Sequence, residues 1–124
     1  MNMSRNAQEL LQQAVEVHRG GDLARAAGLY RAVLEQEPNQ ADALHYLGVI
    51  AMQNGKFDDA AEMIGQAVQL SPGNPHLHAN LGNALLQAGD AKTATGHYEA
   101  ALAIDPSLTE VRRNLATAFM SLDR

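Results

Sequence analysis

Five histidines are the side chains with the most obvious capacity for metal chemistry. His76 and His78 form a His-x-His motif at the start of a predicted helix, where this spacing points the two rings to different faces. A zinc site needs three or four converging ligands, and no helical pair of His with His or Glu supplies them. The chain has no Cys, which excludes thiolate ligands, disulfides and a Cys nucleophile together. We therefore expect neither a metal nor a cofactor, with His45 and His76 as the only plausible histidine pair.

A recurring asparagine is the second chemical feature of the sequence. Asn80 and Asn114 occupy equivalent positions about 34 residues apart, and Asn83 lies one helical turn after Asn80. A side-chain amide both donates and accepts, so stacked amides can bind the backbone of an extended peptide whatever its sequence. Neither a Gly-rich phosphate loop nor a nucleophile–histidine arrangement is visible, and Asp58-Asp59 suits a helix start. These residues predict binding and not catalysis.

A repeat of about 34 residues positions these groups. Aligning the chain with itself at that shift produces columns of matching residues: Gly21, Gly55 and Gly89; Ala26, Ala60 and Ala94; Leu47, Leu81 and Leu115; Pro38, Pro72 and Pro106. Within each unit the apolar residues recur every three or four positions, which indicates helices. A turn such as Asn54-Gly55 separates two helices, and the proline column ends the second one.

The pattern predicts an all-α fold of three helical hairpins plus one final helix, seven helices in total. We expect a single array over residues 1–124. Its units span about 7–40, 41–74 and 75–108, with a terminal helix over about 109–124.

Small residues on facing helices explain how each hairpin packs. Gly48 and Gly82 are predicted on the buried side of a first helix, opposite an alanine column on the second helix. Helix axes approach closely only where side chains are this small, and Tyr30 or Tyr98 is expected to fill the wider gap nearby. A hairpin of this kind cannot bury both of its faces, so it stacks on the next one.

Together these columns resemble the tetratricopeptide repeat (TPR) family. The residues that carry the resemblance are Leu47-Gly48, Gly55, Ala60 and Pro72 in the second unit, and Leu81-Gly82, Gly89, Ala94, Tyr98, Ala101 and Pro106 in the third. The first unit departs most, because Gln13-Ala14 replaces Leu-Gly, and the usual early Trp is absent from every unit. The resemblance implies a right-handed α-solenoid that binds peptides or protein segments and does not catalyse a reaction.

The resemblance also implies that the first helix of each hairpin lines a concave groove. The candidate peptide-binding residues on those helices are Leu11, Gln12, Val15, His45, Tyr46, Val49, Met52, Asn80, Asn83, Leu86, Arg113 and Asn114. The apolar members would form an exposed strip, and exposed apolar strips usually mark a contact surface.

Two known uses of the family's groove can be compared with these residues. The asparagine column is similar to the asparagine ladder of O-linked N-acetylglucosamine transferase superhelices, although Gln12 and Tyr46 hold that column in the first two units. The chaperone-docking carboxylate clamp needs Lys, Asn and Arg from three consecutive first helices. Leu11 and Val15 stand where that clamp needs Lys and Asn, and Arg113 comes one helix too late. We therefore expect no such clamp.

Charge and hydropathy restrict the partners. The net charge of −5 argues against a nucleic-acid ligand, which requires a basic face. No apolar run reaches the roughly 18 residues of a membrane span, and residues 1–5 do not begin a signal peptide. We expect a cytoplasmic protein with a protein or peptide partner, without nucleic acid or membrane.

The functional expectation is a non-enzymatic scaffold whose groove takes an extended peptide or a partner helix. One alternative is that the chain is the repeat portion of a larger enzyme, such as a glycosyltransferase, and selects protein substrates there. The other alternative is a self-assembly module. Apolar residues of the final helix exceed the needs of one buried face, so Phe119 and Leu122 should be partly exposed. That exposure predicts either a weak homodimer through this helix or a longer array.

Overall fold

The computed structural model describes residues 3–123 and contains, in that range, seven α-helices and no strand. The helices are α1 (Arg5–Arg19), α2 (Leu23–Gln36), α3 (Ala41–Gln53), α4 (Phe57–Leu70), α5 (Pro75–Gln87), α6 (Ala91–Ile104) and α7 (Thr109–Leu122). The predicted all-α fold of three hairpins and one further helix is confirmed. Met1, Asn2 and Arg124, which the predicted array includes, lie outside the described residues.

Local signals in the sequence determine where the helices begin and end. Gly21, Gly55 and Gly89 each adopt a positive φ, of 94°, 77° and 96°, in the turn between the two helices of a hairpin. Side chains with a Cβ rarely adopt this conformation, which explains the glycine column. The carboxylates of Asp22 and Asp90 then accept from backbone N–H groups in the first turns of α2 and α6.

Direct contact between paired helices explains the second glycine column. A Cβ added at Gly82 would lie 2.7 Å from the Tyr98 ring, and one added at Gly48 would lie 2.5 Å from Ile64. Both distances are too short for real side chains, so the larger residue of α6 or α4 occupies the space that glycine leaves. The expectation that Tyr98 fills this space is confirmed.

Three apolar clusters form the core, and each joins a hairpin to the helix that follows it. The first is built by α1, α2 and α3, the second by α3, α4 and α5, and the third by α5, α6 and α7. The helices α3 and α5 therefore each contribute to two clusters, which makes the array a continuous stack.

The outer face of α7 is exposed. Phe119 and Leu122 are 48% and 46% exposed, which confirms their expected exposure, and Met120 is 61% exposed. Arg112, at a column that is apolar in the first two units, also lies in solvent, and its guanidinium donates to the carbonyl of Pro106. Between residues 3 and 123, no helix is both long and apolar enough to cross a bilayer.

Candidate functional site

An open cavity of about 490 Å³ lies between α5, α7 and the loop that precedes α7. Its lining combines amide, hydroxyl and apolar groups: His76, Ala79, Asn80, Asn83, Ser107, Leu108, Thr109, Glu110, Val111 and Asn114. The helix α5 is fixed at its start by Pro75 and by Asn74, whose side chain accepts from the backbone N–H of His76. The asparagines therefore project from a well-defined helix into an accessible space.

Three asparagines of this cavity, which we call the amide row, form a hydrogen-bonded chain with one direction. The Nδ2 of Asn114 donates to the Oδ1 of Asn83 at 3.1 Å. The Nδ2 of Asn83 donates to the Oδ1 of Asn80 at 3.4 Å, and the Nδ2 of Asn80 donates to the Nε2 of His45 at 2.8 Å. The row joins α7 to α5, and its bond to His45 continues it to α3, because the first helices of successive hairpins lie side by side.

The hydroxyl of Tyr98 attaches the amide row to the core. It donates to the Oδ1 of Asn83 at 2.6 Å, so this oxygen accepts two hydrogen bonds. The side chain of Tyr98 is fully buried, and burial raises its pKa to about 12. The hydroxyl therefore stays protonated and remains a donor at any physiological pH. The repeat pattern predicts a packing role for Tyr98 and contains no signal for this contact.

His45 ends the amide row as a neutral acceptor. Burial lowers the pKa of His45, Asp42 on the same helix opposes that shift, and His76 on α5 adds to it. Because an amide nitrogen can only donate, the Nε2 of His45 must carry its lone pair towards Asn80, and the ring proton sits on Nδ1. Neutral His45 and the observed direction of the row are therefore consistent.

The other half of the same face holds rings in place of amides. Tyr30 and Tyr46 stack with their ring centroids 5.6 Å apart. The hydroxyl of Tyr30 donates to the Nδ1 of His18 at 3.1 Å, and the Nε2 of His18 donates to the Oε1 of Gln53 at 3.1 Å. We call His18, Tyr30 and Tyr46 the ring cluster. Burial, with a smaller contribution from Tyr46, raises the pKa of Tyr30 to about 12.

The apolar residues predicted for the groove are less accessible than expected. All six are half-buried: Leu11, Val15, Tyr46, Val49, Met52 and Leu86. Five of them pack against the core clusters, which corrects the expectation of an openly exposed strip. Their positions at the junctions between hairpins explain this burial.

The remaining predicted residues divide into two sets. Gln12 and Arg113 are exposed, and neither lines the cavity beside α7. Of the twelve predicted residues, the structure brings together Asn80, Asn83 and Asn114 in the cavity, with His45 bonded to Asn80. The cavity also contains Leu108 and Glu110 from the segment before and within the first turn of α7.

A second histidine pair corrects the expectation that His45 and His76 form the only one. The Nδ1 atoms of His78 and His97 lie 3.4 Å apart, and their ring centroids are 5.7 Å apart. The Nε2 of His78 donates to the carbonyl of Pro72 at 2.8 Å. The antiparallel pairing of α5 and α6 creates this contact, which a comparison of single helix faces does not reveal. Within residues 3–123, no three His, Asp or Glu side chains converge as a metal-ligand set.

Comparison with known sequences connects this architecture to one repeat family. The family model of the tetratricopeptide repeat matches residues 11–75 and 47–109. Cellulose synthase 2 operon protein C of Komagataeibacter xylinus is 35% identical over 108 residues, which cover 86% of this chain and 8% of that protein. Hsc70-interacting protein 1 of Drosophila melanogaster is 32% identical over 88 residues, which cover 70% of this chain and 23% of that protein. The chain thus spans less than a quarter of either relative.

Solved structures show the same arrangement of helices. A mutant O-GlcNAc transferase of Thermobaculum terrenum superposes with a TM-score of 0.86 and 30% identity, covering 95% of this chain and 23% of that chain. The first TPR of Spaghetti, bound to an HSP90 peptide, superposes with a TM-score of 0.93 and covers 98% of this chain and 96% of that one. Its identity is 19%, so this second likeness supports the fold alone.

Proposed function

Because the chain belongs to the tetratricopeptide repeat family, we propose that it is a non-enzymatic protein-interaction module whose groove binds an extended peptide at the amide row. The observation that carries this proposal is the alignment of Asn80, Asn83 and Asn114 along one accessible cavity. Each amide nitrogen has two hydrogens, and the row itself uses one of them. The second hydrogen of each amide can donate to a carbonyl oxygen of a bound peptide backbone.

Asn114 is the amide best placed to bind a peptide both as a donor and as an acceptor. Among the described residues, its Nδ2 donates once and its Oδ1 accepts no hydrogen bond. It can therefore accept from one peptide N–H while it donates to the neighbouring peptide carbonyl. Asn80 and Asn83 already accept through Oδ1, so they contribute mainly as donors.

One similar protein supports a protein or peptide partner. Hsc70-interacting protein 1, 32% identical over 88 residues, is named for an interaction with Hsc70. This chain lacks the basic first-helix residues of a carboxylate clamp, since half-buried Leu11 and Val15 stand at those positions. We therefore propose recognition of the peptide main chain and not of a terminal carboxylate, and the net charge of −5 disfavours nucleic acid.

Two alternative functions each have a supporting observation. The similarity to an O-GlcNAc transferase at 30% identity favours a repeat region that selects protein substrates for a larger enzyme. The exposed Phe119 and Leu122 favour weak homodimerisation through α7, because burying a large apolar side chain contributes roughly 1.5–3 kcal/mol.

A peptide-display experiment tests the main proposal. Random-sequence peptides are selected on the wild-type chain, and the affinity of an enriched peptide is measured for Asn114→Ala and for Gln69→Ala, an exposed amide on α4. Loss of two hydrogen bonds should weaken binding by about tenfold to a hundredfold in Asn114→Ala and leave Gln69→Ala unchanged. Methylation of single peptide nitrogens should weaken binding more than truncation of peptide side chains. Equal affinity for both variants would contradict binding at the amide row.

A further inference from the structure

The common direction of the amide row requires a cause, because an amide can be reversed by a half-turn with little change in shape. Asn114 donates to Asn83, Asn83 donates to Asn80, and Asn80 donates to His45. An amide has both roles and cannot fix the direction of a chain of amides. The direction must therefore come from neighbouring groups that can only donate, or only accept, the hydrogen bond they make with the row.

Tyr98 fixes the direction at the middle of the row. Its buried hydroxyl donates to the Oδ1 of Asn83 at 2.6 Å. Reversing Asn83 would turn its Nδ2 towards this hydroxyl and towards the donating nitrogen of Asn114. The proton of a buried hydroxyl would then lose its acceptor, which is unfavourable. Tyr98 therefore opposes reversal of the row.

His45 fixes the direction at the end of the row. Its neutral ring offers a lone pair on Nε2, which requires Asn80 to point its nitrogen towards α3. A protonated ring has two N–H donors and no acceptor, so it would require Asn80 to point its oxygen there instead. Asn80 would then present its nitrogen to the nitrogen of Asn83, while Tyr98 prevents Asn83 from turning.

We propose that His45 is a positioning residue that orients the groove amides through Asn80, and that a proton on His45 disrupts the amide row and weakens peptide binding. The part about peptide binding rests on the proposed function, whereas the part about amide orientation does not. With neutral His45, the second amide hydrogens of Asn80 and Asn83 stay available to donate to carbonyl oxygens of a ligand. With charged His45, the contact between Asn80 and Asn83 becomes one between two donors.

The charged and titratable groups around His45 determine when this change occurs. Asp42 on α3 favours the proton, and His76 on α5 opposes it. The ring of Tyr46 lies beside His45 with a centroid distance of 5.1 Å, and Tyr30 of α2 lies behind Tyr46. Asp105, before α7, interacts with His76.

An NMR titration of the free protein tests the orientation without any ligand. The His45 ring signals and the side-chain amide signals of Asn80 and Asn83 are followed between about pH 8 and pH 5. We expect both amides to shift with the same midpoint as His45. In His45→Gln, whose amide oxygen still accepts from Asn80, that response should disappear. In the matched variant His97→Gln, whose ring pairs with His78 and does not line the cavity, the response should remain. Amides that stay unchanged while His45 titrates, or that still respond in His45→Gln, would overturn the proposal.

A binding measurement tests the consequence for the groove, using a peptide selected on the wild-type chain at neutral pH. From about pH 7.5 to pH 5.5 the wild type and His97→Gln should lose about tenfold in affinity, equivalent to one hydrogen bond, and His45→Gln less than about twofold. A wild-type affinity that does not change with pH would overturn the effect on binding. If no peptide is selected at any pH, the proposed function fails, and the NMR titration decides the orientation of the amides on its own.

Discussion

The two halves of the groove face are built from the same columns and contain different chemistry. At α1 and α3, Tyr46 stacks on Tyr30 of α2, and the Nδ1 of His18 accepts a hydrogen bond from the hydroxyl of Tyr30. On α5 and α7, the amide row ends on His45 and is held by Tyr98. His18 and Tyr30 therefore use their polar atoms inside the protein, whereas each amide nitrogen of the amide row keeps one hydrogen that the row does not use. The repeat supplies equivalent positions, and the side chains decide which half carries amides and which carries rings.

The largest effect is expected from Gly82→Ala compared with Gly48→Ala. Both changes force a larger residue to move, because the new Cβ would lie 2.7 Å from Tyr98 or 2.5 Å from Ile64. We expect each to lower the free energy of unfolding by about 1–3 kcal/mol, measured by urea denaturation. Only Gly82→Ala should also shift the side-chain amide signals of Asn83. If Gly82→Ala is destabilised but the side-chain amide signals of Asn83 do not shift, the amide row does not depend on how Tyr98 packs against Gly82.

A second comparison removes one hydroxyl from each half. Tyr98→Phe and Tyr30→Phe should each lower the free energy of unfolding by about 1 kcal/mol, because each removes one hydrogen bond. Only Tyr98→Phe should weaken peptide binding and let His45 accept a proton more easily, since Asn83 is then free to turn. Thermal denaturation gives the first quantity and an NMR titration of His45 gives the second. Equal effects of both variants on His45 would contradict the distinction between the two halves.

Two half-buried histidines, His45 and His97, should make the stability of the protein depend on pH. Burial lowers the pKa of His45, and burial together with His78 lowers the pKa of His97, both from the usual value of 6.5. The unfolded chain then binds protons more readily than the folded chain, so stability is fully present above about pH 6.5 and is lost as pH falls through the folded pKa values. Urea midpoints measured across this range should fall less in His45→Gln than in the wild type. A dependence of equal size in both would assign the loss to groups other than His45.

The smallest effect on stability is expected on the exposed outer face of α7, away from the amide row. Phe119→Glu replaces a side chain that is 48% exposed, so the free energy of unfolding should change by less than about 0.5 kcal/mol. If α7 supports a homodimer, the wild type should gain mass with concentration in sedimentation, and the variant should not. Leu70→Glu, at another exposed apolar residue, is the control. A wild type that remains monomeric at high concentration would contradict the homodimer.

The sequence predicted the helices well because their boundaries depend on local signals. Glycines with positive φ and prolines after each second helix act within a few residues, and the chief difference is that α1 begins at Arg5, before the predicted start near residue 7. The asparagine column was also predictable, since it follows the period. The hydrogen bonds of these asparagines to Tyr98 and His45 were not predictable, because Tyr98 belongs to a second helix and His45 to the preceding hairpin. The half-burial of Leu11 and Val15 likewise depends on how neighbouring hairpins stack.

One column of the second helices has a consequence for protein design. Tyr30, Ile64 and Tyr98 occupy equivalent positions and are all fully buried. The hydroxyl of Tyr30 donates to a histidine, that of Tyr98 donates to an asparagine, and isoleucine has no hydroxyl. A designer who wishes to move the amide chemistry to the middle hairpin would have to transplant a tyrosine together with its asparagine. The neighbouring glycine is already present as Gly48. In this array, the interchangeable part is the tyrosine–glycine–asparagine set and not the single groove residue.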